Sequence, residues 1–224
     1  MKSSLFGAHL ETATSGERFV LQNERLLRIT LGDEVMARQG SMVAYQGGVE
    51  FDFQGSGGVG RFLKKALTGE GLPLMRCRGS GELFLARDAR EIFLILLEGE
   101  SITVNGDNLL AFDSTIEWDI RRVEGVSMLA GGMFNTVLRG TGWVAISSFG
   151  TPVVLQTDVP TFADIQSAIA WSSDLQTTVN RTMKMGALVG RGSGEAVQLA
   201  FSGQGFVVVQ ASEGPSVPPH NHGS

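Results

Sequence analysis

Several chemistries lack their reagents in this chain of 224 residues, which holds one cysteine, three histidines and six prolines. Cys77 has no second thiol to pair with, so an intrachain disulfide is excluded, and a lone cysteine fits a reducing compartment. No histidine lies between positions 10 and 219, which removes the imidazole of a nucleophilic triad and the usual metal donors from the body of the chain. Positive charge is also scarce. The formal net charge is −5, so the whole-chain basic field that gathers nucleic acid is missing. No long hydrophobic run occurs either. Ile92 to Leu97 is the longest, against about 20 residues for a membrane-spanning helix. Met1 to His9 lacks the apolar centre of a secretory signal. These features predict a cytoplasmic protein without a transmembrane segment.

Glycine and apolar residues fill the space. Hydrophobic residues make up 42% against 18% charged, the balance of a chain that buries a core. Thirty glycines are interleaved with apolar runs, which suits tight turns and bulges rather than flexible low complexity. They also mark a repeat. A Gly-x-Gly step followed by an apolar strand begins at Gly79, Gly140 and Gly203, at intervals of 61 and 63 residues. An Ala-aromatic pair alternates with it: Ala44-Tyr45, Ala111-Phe112 and Ala170-Trp171. An aliphatic follows each aromatic by four residues, as Val49, Ile116 and Leu175. Before each pair an apolar strand runs into a polar turn, at Leu27 to Glu34, Phe93 to Glu100 and Val153 to Asp158. The third copy is the most diverged, with Thr177 standing where Phe51 and Trp118 stand.

Each copy reads as β. Ile116, Trp118 and Ile120 alternate with polar residues, as do Ile102 and Val104 before Asn105-Gly106, a strong hairpin signal. One short helix is expected around Arg61 to Leu67. The fold class is therefore all-β, in units of about 60 residues that complete their cores by packing side by side.

Gly40-Ser41-Met42-Val43-Ala44-Tyr45 leading into Val49-Glu50-Phe51, the segment Lys64 to Gly71, and the closing strand from Phe201 to Gln210 carry a resemblance. Over roughly Leu27 to Gln210 the chain resembles the altered-inheritance-of-mitochondria family of TRAP-like proteins, in its bacterial branch. The resemblance implies three TRAP-like β-sandwich repeats, each a shortened double-stranded β-helix, arranged around a pseudo-threefold axis. They would look like three adjacent subunits of the tryptophan-operon RNA-binding attenuator. The expected division is 1–90 for the first repeat with an N-terminal strand, 91–150 for the second, 151–211 for the third and 212–224 for a flexible tail. The resemblance supplies no catalytic residues.

Few motifs carry chemistry. Gly55 to Gly60 fits Gly-x-Gly-x-x-Gly, but a dinucleotide site needs a βαβ unit and a distal acidic residue, and a mobile loop fits better. Arg61 and Phe62 stand where a P-loop needs Lys and Ser or Thr. His220 and His222 follow Pro218-Pro219 near the end and read as tail rather than metal site. Tyr45, Phe112 and Trp171 could stack bases, but their equivalence favours one core position. The expectation is no catalytic, cofactor-binding or metal site.

What remains is an interaction face. Glycine-bearing insertions of equivalent units project together, and large apolar side chains on them suit an adaptable contact. The candidates are Arg61, Phe62, Leu63, Lys64 and Lys65 in the first unit, Met128, Leu129, Met133 and Phe134 in the second, and Met185 and Leu188 in the third. A non-enzymatic binding or scaffold protein is the leading expectation, with a homo-oligomer or a protein partner. An RNA-binding protein of attenuator type is the alternative, though RNA is disfavoured by the charge. An enzyme with a site at a domain interface is the second alternative.

Overall fold

β-Branched and aromatic residues in alternation favour strands, and paired glycines let those strands bend and approach closely. The structure, a computed structural model, describes residues 18–53, 73–122, 134–181 and 197–212. Among the described residues the protein is all β, with fifteen strands and no helix. Among these residues no helix is therefore long and apolar enough to cross a membrane.

The strands run β1 Phe19–Asn23, β2 Leu26–Leu31, β3 Val35–Arg38, β4 Met42–Phe53 and β5 Leu74–Leu85. Then follow β6 Glu91–Asn105, β7 Leu109–Asp113, β8 Glu117–Arg122 and β9 Phe134–Ser148. The last are β10 Val153–Gln156, β11 Thr161–Asp164, β12 Ala168–Ser172, β13 Gln176–Arg181, β14 Val197–Ser202 and β15 Phe206–Val209. Twelve form one sheet, ordered β1-β2-β5-β3-β7-β9-β6-β12-β15-β10 with β4 on β5 and β8 on β9. The other three form a sheet ordered β11-β14-β13. All pairings are antiparallel.

Three central tracts carry the Gly-x-Gly steps: β5, β9, and the pair β14 and β15 on either side of Gly203. Each tract is flanked on both sides. On one side lie β4, then β7 with β8, then β12 with β13. On the other lie β2 with β3, then β6, then β10 with β11. The glycines fit the closeness of the bend. A Cβ on Gly79 would overlap the Gly48 carbonyl oxygen, and one on Gly81 the Gln46 carbonyl oxygen. Both glycines also hold positive φ, 108° and 144°.

Neighbouring tracts are stitched by two further pairings, β3 to β7 and β6 to β12. Three hydrophobic clusters follow. The first surrounds Phe19, Leu27 and Leu83 and takes Leu110, Ala111 and Ala145 from the second tract's strands. The second surrounds Phe112, Leu138 and Ile146 and takes Ile169, Ala170 and Val208 from the third's. The third surrounds Trp171, Leu199 and Phe201, all from its own strands.

Two expectations change. Asn105-Gly106 does form a turn, with the Asn108 N–H donating to the Asn105 carbonyl at 2.8 Å. It does not close a hairpin, because β6 and β7 lie on opposite sides of β9 and pair with it rather than with each other. The polar turn expected to end the stretch from Phe93 to Glu100 is instead a bulge inside the continuous β6, where Gly99 has φ 102°. The helix expected near Arg61, the glycine string from Gly55, His220, His222 and the segment beyond Ser212 lie outside the described residues.

Candidate functional site

Of the expected interaction face, only Phe134 falls among the described residues. Arg61, Phe62, Leu63, Lys64, Lys65, Met128, Leu129, Met133, Met185 and Leu188 lie outside them. Phe134 opens β9 and is half-buried. Its carbonyl accepts the Gly106 N–H at 2.7 Å, which anchors the turn between β6 and β7.

That turn carries a cluster of charge that sequence patterning missed. Asp107 receives Arg87 Nη2 on Oδ1 at 2.6 Å and Arg90 Nη1 on Oδ2 at 2.8 Å. Arg38, at the end of β3, reaches Asp107 Oδ1 at 3.6 Å and donates to the Gly106 carbonyl. Arg87 also donates to the Asp107 carbonyl. The Arg90 side chain is buried, with its guanidinium carbon 3.9 Å from the centre of the Phe149 ring. Burial, with Arg87 and Arg90 nearby, lowers the Arg38 pKa to about 10 against the pull of Asp107 and Asp88. Burial alone would raise Asp107, but hydrogen bonds from Arg87 and Arg90 outweigh it and hold its carboxyl below the usual range. Three guanidiniums around one carboxylate have the composition of an anion site. Here the protein's own Asp107 fills it, so the cluster works as a clamp between the β5–β6 and β6–β7 turns.

Other reactive groups have structural employment. Cys77 is fully buried, and burial pushes its thiol pKa up to about 12, so it stays protonated near neutrality and is a poor nucleophile. Asp113 accepts Arg18 Nη1 on Oδ1 at 2.6 Å and the Trp143 N–H on Oδ2 at 2.7 Å. Among the described residues no three of His, Cys, Asp and Glu gather as a metal-binding group.

The aromatic series divides. Phe112 and Trp171 are buried at 0% and 3% exposure, in line with one core position. Tyr45 departs from that expectation at 49% exposure. The reason is local: β3 covers the outer edge of β7 and β6 that of β12, while among the described residues β4 pairs with β5 alone. Tyr45 still makes an edge contact with Phe51, with centroids 5.3 Å apart, as Phe112 does with Trp118 at 6.1 Å.

The family model described as mitochondrial biogenesis AIM24 matches residues 18–212, which span every described strand. The chain belongs to the AIM24 family. No curated protein matches it. Among solved structures, a crystal structure of a Streptococcus pyogenes protein is similar in fold, with a TM-score of 0.71 and 24% identity. The match covers 87% of this chain and 92% of that one. An AIM24 chain thus combines large antiparallel sheets with polar groups tied into turns and strand contacts, and with apolar side chains left exposed on β4, β10 and β11.

Proposed function

We propose that the protein is a non-enzymatic binding or scaffold module built from three diverged TRAP-like copies, 1–90, 91–150 and 151–211. One observation carries the three-copy reading. A buried polar residue closes a four-residue turn three times, as Ser41, Asn108 and Ser167. Its carbonyl accepts an N–H from the residue five past the second glycine each time, namely Ala86, Ser147 and Gln210, at 2.9, 2.7 and 2.9 Å. Position-by-position identity of hydrogen bonding is the mark of one unit used three times. The pseudo-threefold ring implied by the family resemblance would need β11 to reach β4 of the same chain. Among the described residues β11 pairs with β14 alone and β4 with β5 alone.

A scaffold reading follows from where the chemistry goes. The carboxylate of Asp107 occupies the centre of the charged cluster, and the thiol is sealed in the core. The working surface would then be contact area, including the insertion face around Phe62, Met128 and Phe134. The test is pull-down from the native host with the full chain and with a Phe62→Ser, Met128→Ser, Phe134→Ser variant. Captured proteins should be lost with the variant while its β circular dichroism survives. Capture of RNA by the purified protein, weakening steeply with salt, would overturn this reading in favour of attenuator-like binding.

A further inference from the structure

Asp107 does not use up the arginines around it. Arg90 meets it through Nη1, on Oδ2 at 2.8 Å. The side edge of that guanidinium, Nε with Nη2, is left over. Nε is buried and has no hydrogen-bond partner among the described residues. Nη2 lies 3.8 Å from Asp88 Oδ2, too far for a hydrogen bond. Arg87 repeats the pattern. Its Nη2 meets Asp107 Oδ1 at 2.6 Å, while its Nε lies 3.4 Å from the same Asp88 Oδ2. One loosely held carboxylate oxygen thus stands before two arginine edges. Arg38, Arg87 and Arg90 share Asp107 and Asp88, and three charges against two leave one positive charge of the set unmatched. A buried N–H of a charged group is costly to leave unpaired, and phosphate and carboxylate oxygens are the acceptors that fit such an edge.

The chain builds this arrangement with one tight turn. Arg87 and Arg90 bracket two residues, and the Arg90 N–H closes the turn on the Arg87 carbonyl at 2.8 Å. Asp88 and Ala89 between them hold φ 48° and 52°, a left-handed region that residues with a side chain enter rarely. The two arginines so bracketed both reach Asp107, and Asp88 is left at the solvent side with its side chain 63% exposed. Phe149 backs the Arg90 guanidinium, 3.9 Å from its ring centre, and the Phe149 N–H is fixed on Gln210 Oε1 at 3.0 Å. Held by Phe149 against its face and by Asp107 at Nη1, the Arg90 guanidinium presents its remaining edge in one direction, toward Asp88.

We propose that Arg87 Nε and the Nε–Nη2 edge of Arg90 form a binding site for a small phosphate-class oxyanion, a phosphomonoester or free phosphate, which displaces the Asp88 carboxylate. Asp107 keeps its clamp on the other nitrogens and thereby orients these. A tetrahedral oxyanion suits the place better than a carboxylate does. Its separate oxygens can serve Arg87 and Arg90 independently, whereas Asp88 offers one oxygen to both at long range. Asp88 is then an internal competitor that the ligand pushes into solvent. The inference rests on the geometry of the β5–β6 turn and is independent of what the insertion face binds.

Isothermal titration of the full chain with inorganic phosphate, and separately with glycerol 3-phosphate, tests this at constant ionic strength, so that screening does not vary. Arg87→Gln should weaken binding at least about tenfold, the loss expected for one charge-assisted hydrogen bond. Asp88→Asn should tighten it by removing the competing charge, and asparagine tolerates the left-handed backbone there. The two substitutions thus act with opposite signs, which a general loosening of the fold would not produce. Glycerol 3-phosphate binding at least as tightly as phosphate assigns the site to a monoester; tighter binding of inorganic phosphate assigns it to the free ion. Where Arg87→Gln lowers the urea midpoint, Arg87→Lys keeps the charge, removes the Nε donor and should weaken binding in the same direction. The proposal falls if neither wild type nor Asp88→Asn takes up either probe, or if either the arginine or the aspartate substitution leaves the affinity unchanged.

Discussion

Thr177 marks the third copy as an outlier in sequence, and its neighbour across the sheet explains how the core survives. Phe51 pairs with Cys77, Trp118 with Leu138 and Thr177 with Phe201. The aromatic has moved to the opposite strand, where Phe201 packs edge-on against Trp171 with centroids 5.5 Å apart. Core volume is kept while its source changes strand, the kind of exchange cores tolerate. Cys77 fits the same logic as a smaller residue facing a large one. Phe201→Leu should therefore destabilise the protein by about 1–3 kcal/mol in urea denaturation, with Thr177→Phe in the same chain recovering much of the loss. Losses that simply add would sink this account. The alternation and the aromatic markers were legible because each is local. The exchange was not, since Thr177 and Phe201 are joined only by register.

At the level of elements, short-range signals located strands and bends but left their neighbours unassigned. Asn105-Gly106 made the turn it promised, yet the turn carries the chain from one flank of β9 to the other. The clamp at Asp107 was hidden for the same reason, since Arg38, Arg87 and Arg90 meet it only once β3 has crossed to β7. Its removal should loosen both turns. Asp107→Asn takes the nearer carboxylate from the buried Arg90, with Asp88 Oδ2 remaining at 3.8 Å, and about 1–3 kcal/mol of stability should go, less where water screens the pair. The sign of the pH dependence follows from a lowered pKa. Stability from the charged Asp107 is fully present above the ordinary carboxyl value of 3.8 and is lost as pH falls through the lower folded value. The gap between wild type and Asp107→Asn in urea midpoints should thus hold from neutral pH to about 5 and shrink below about 4. A gap that widens on acidification would contradict the clamp.

For the molecule as a whole, the sharing of strands decides how it comes apart. β9 is paired along its length, by β6 on one side and by β7 and β8 on the other. β7 and β12 are each held by strands of two groups. β10 and β11 each pair on one side only among the described residues, and so does β4. Sequence markers spaced by 61 and 63 residues are silent on this difference, because Tyr45 and Phe112 look alike until one asks what lies beyond the strand. Local opening exposes lightly held backbone first, while amides held on both sides wait for larger unfolding. In hydrogen exchange of the dilute protein, β9, β7 and β12 should therefore be slower than the strands paired on one side only, β10, β11 and the first half of β4 among them. Three groups exchanging at three separate, uniform levels would mean that each stands alone, and would refute a core completed by shared strands.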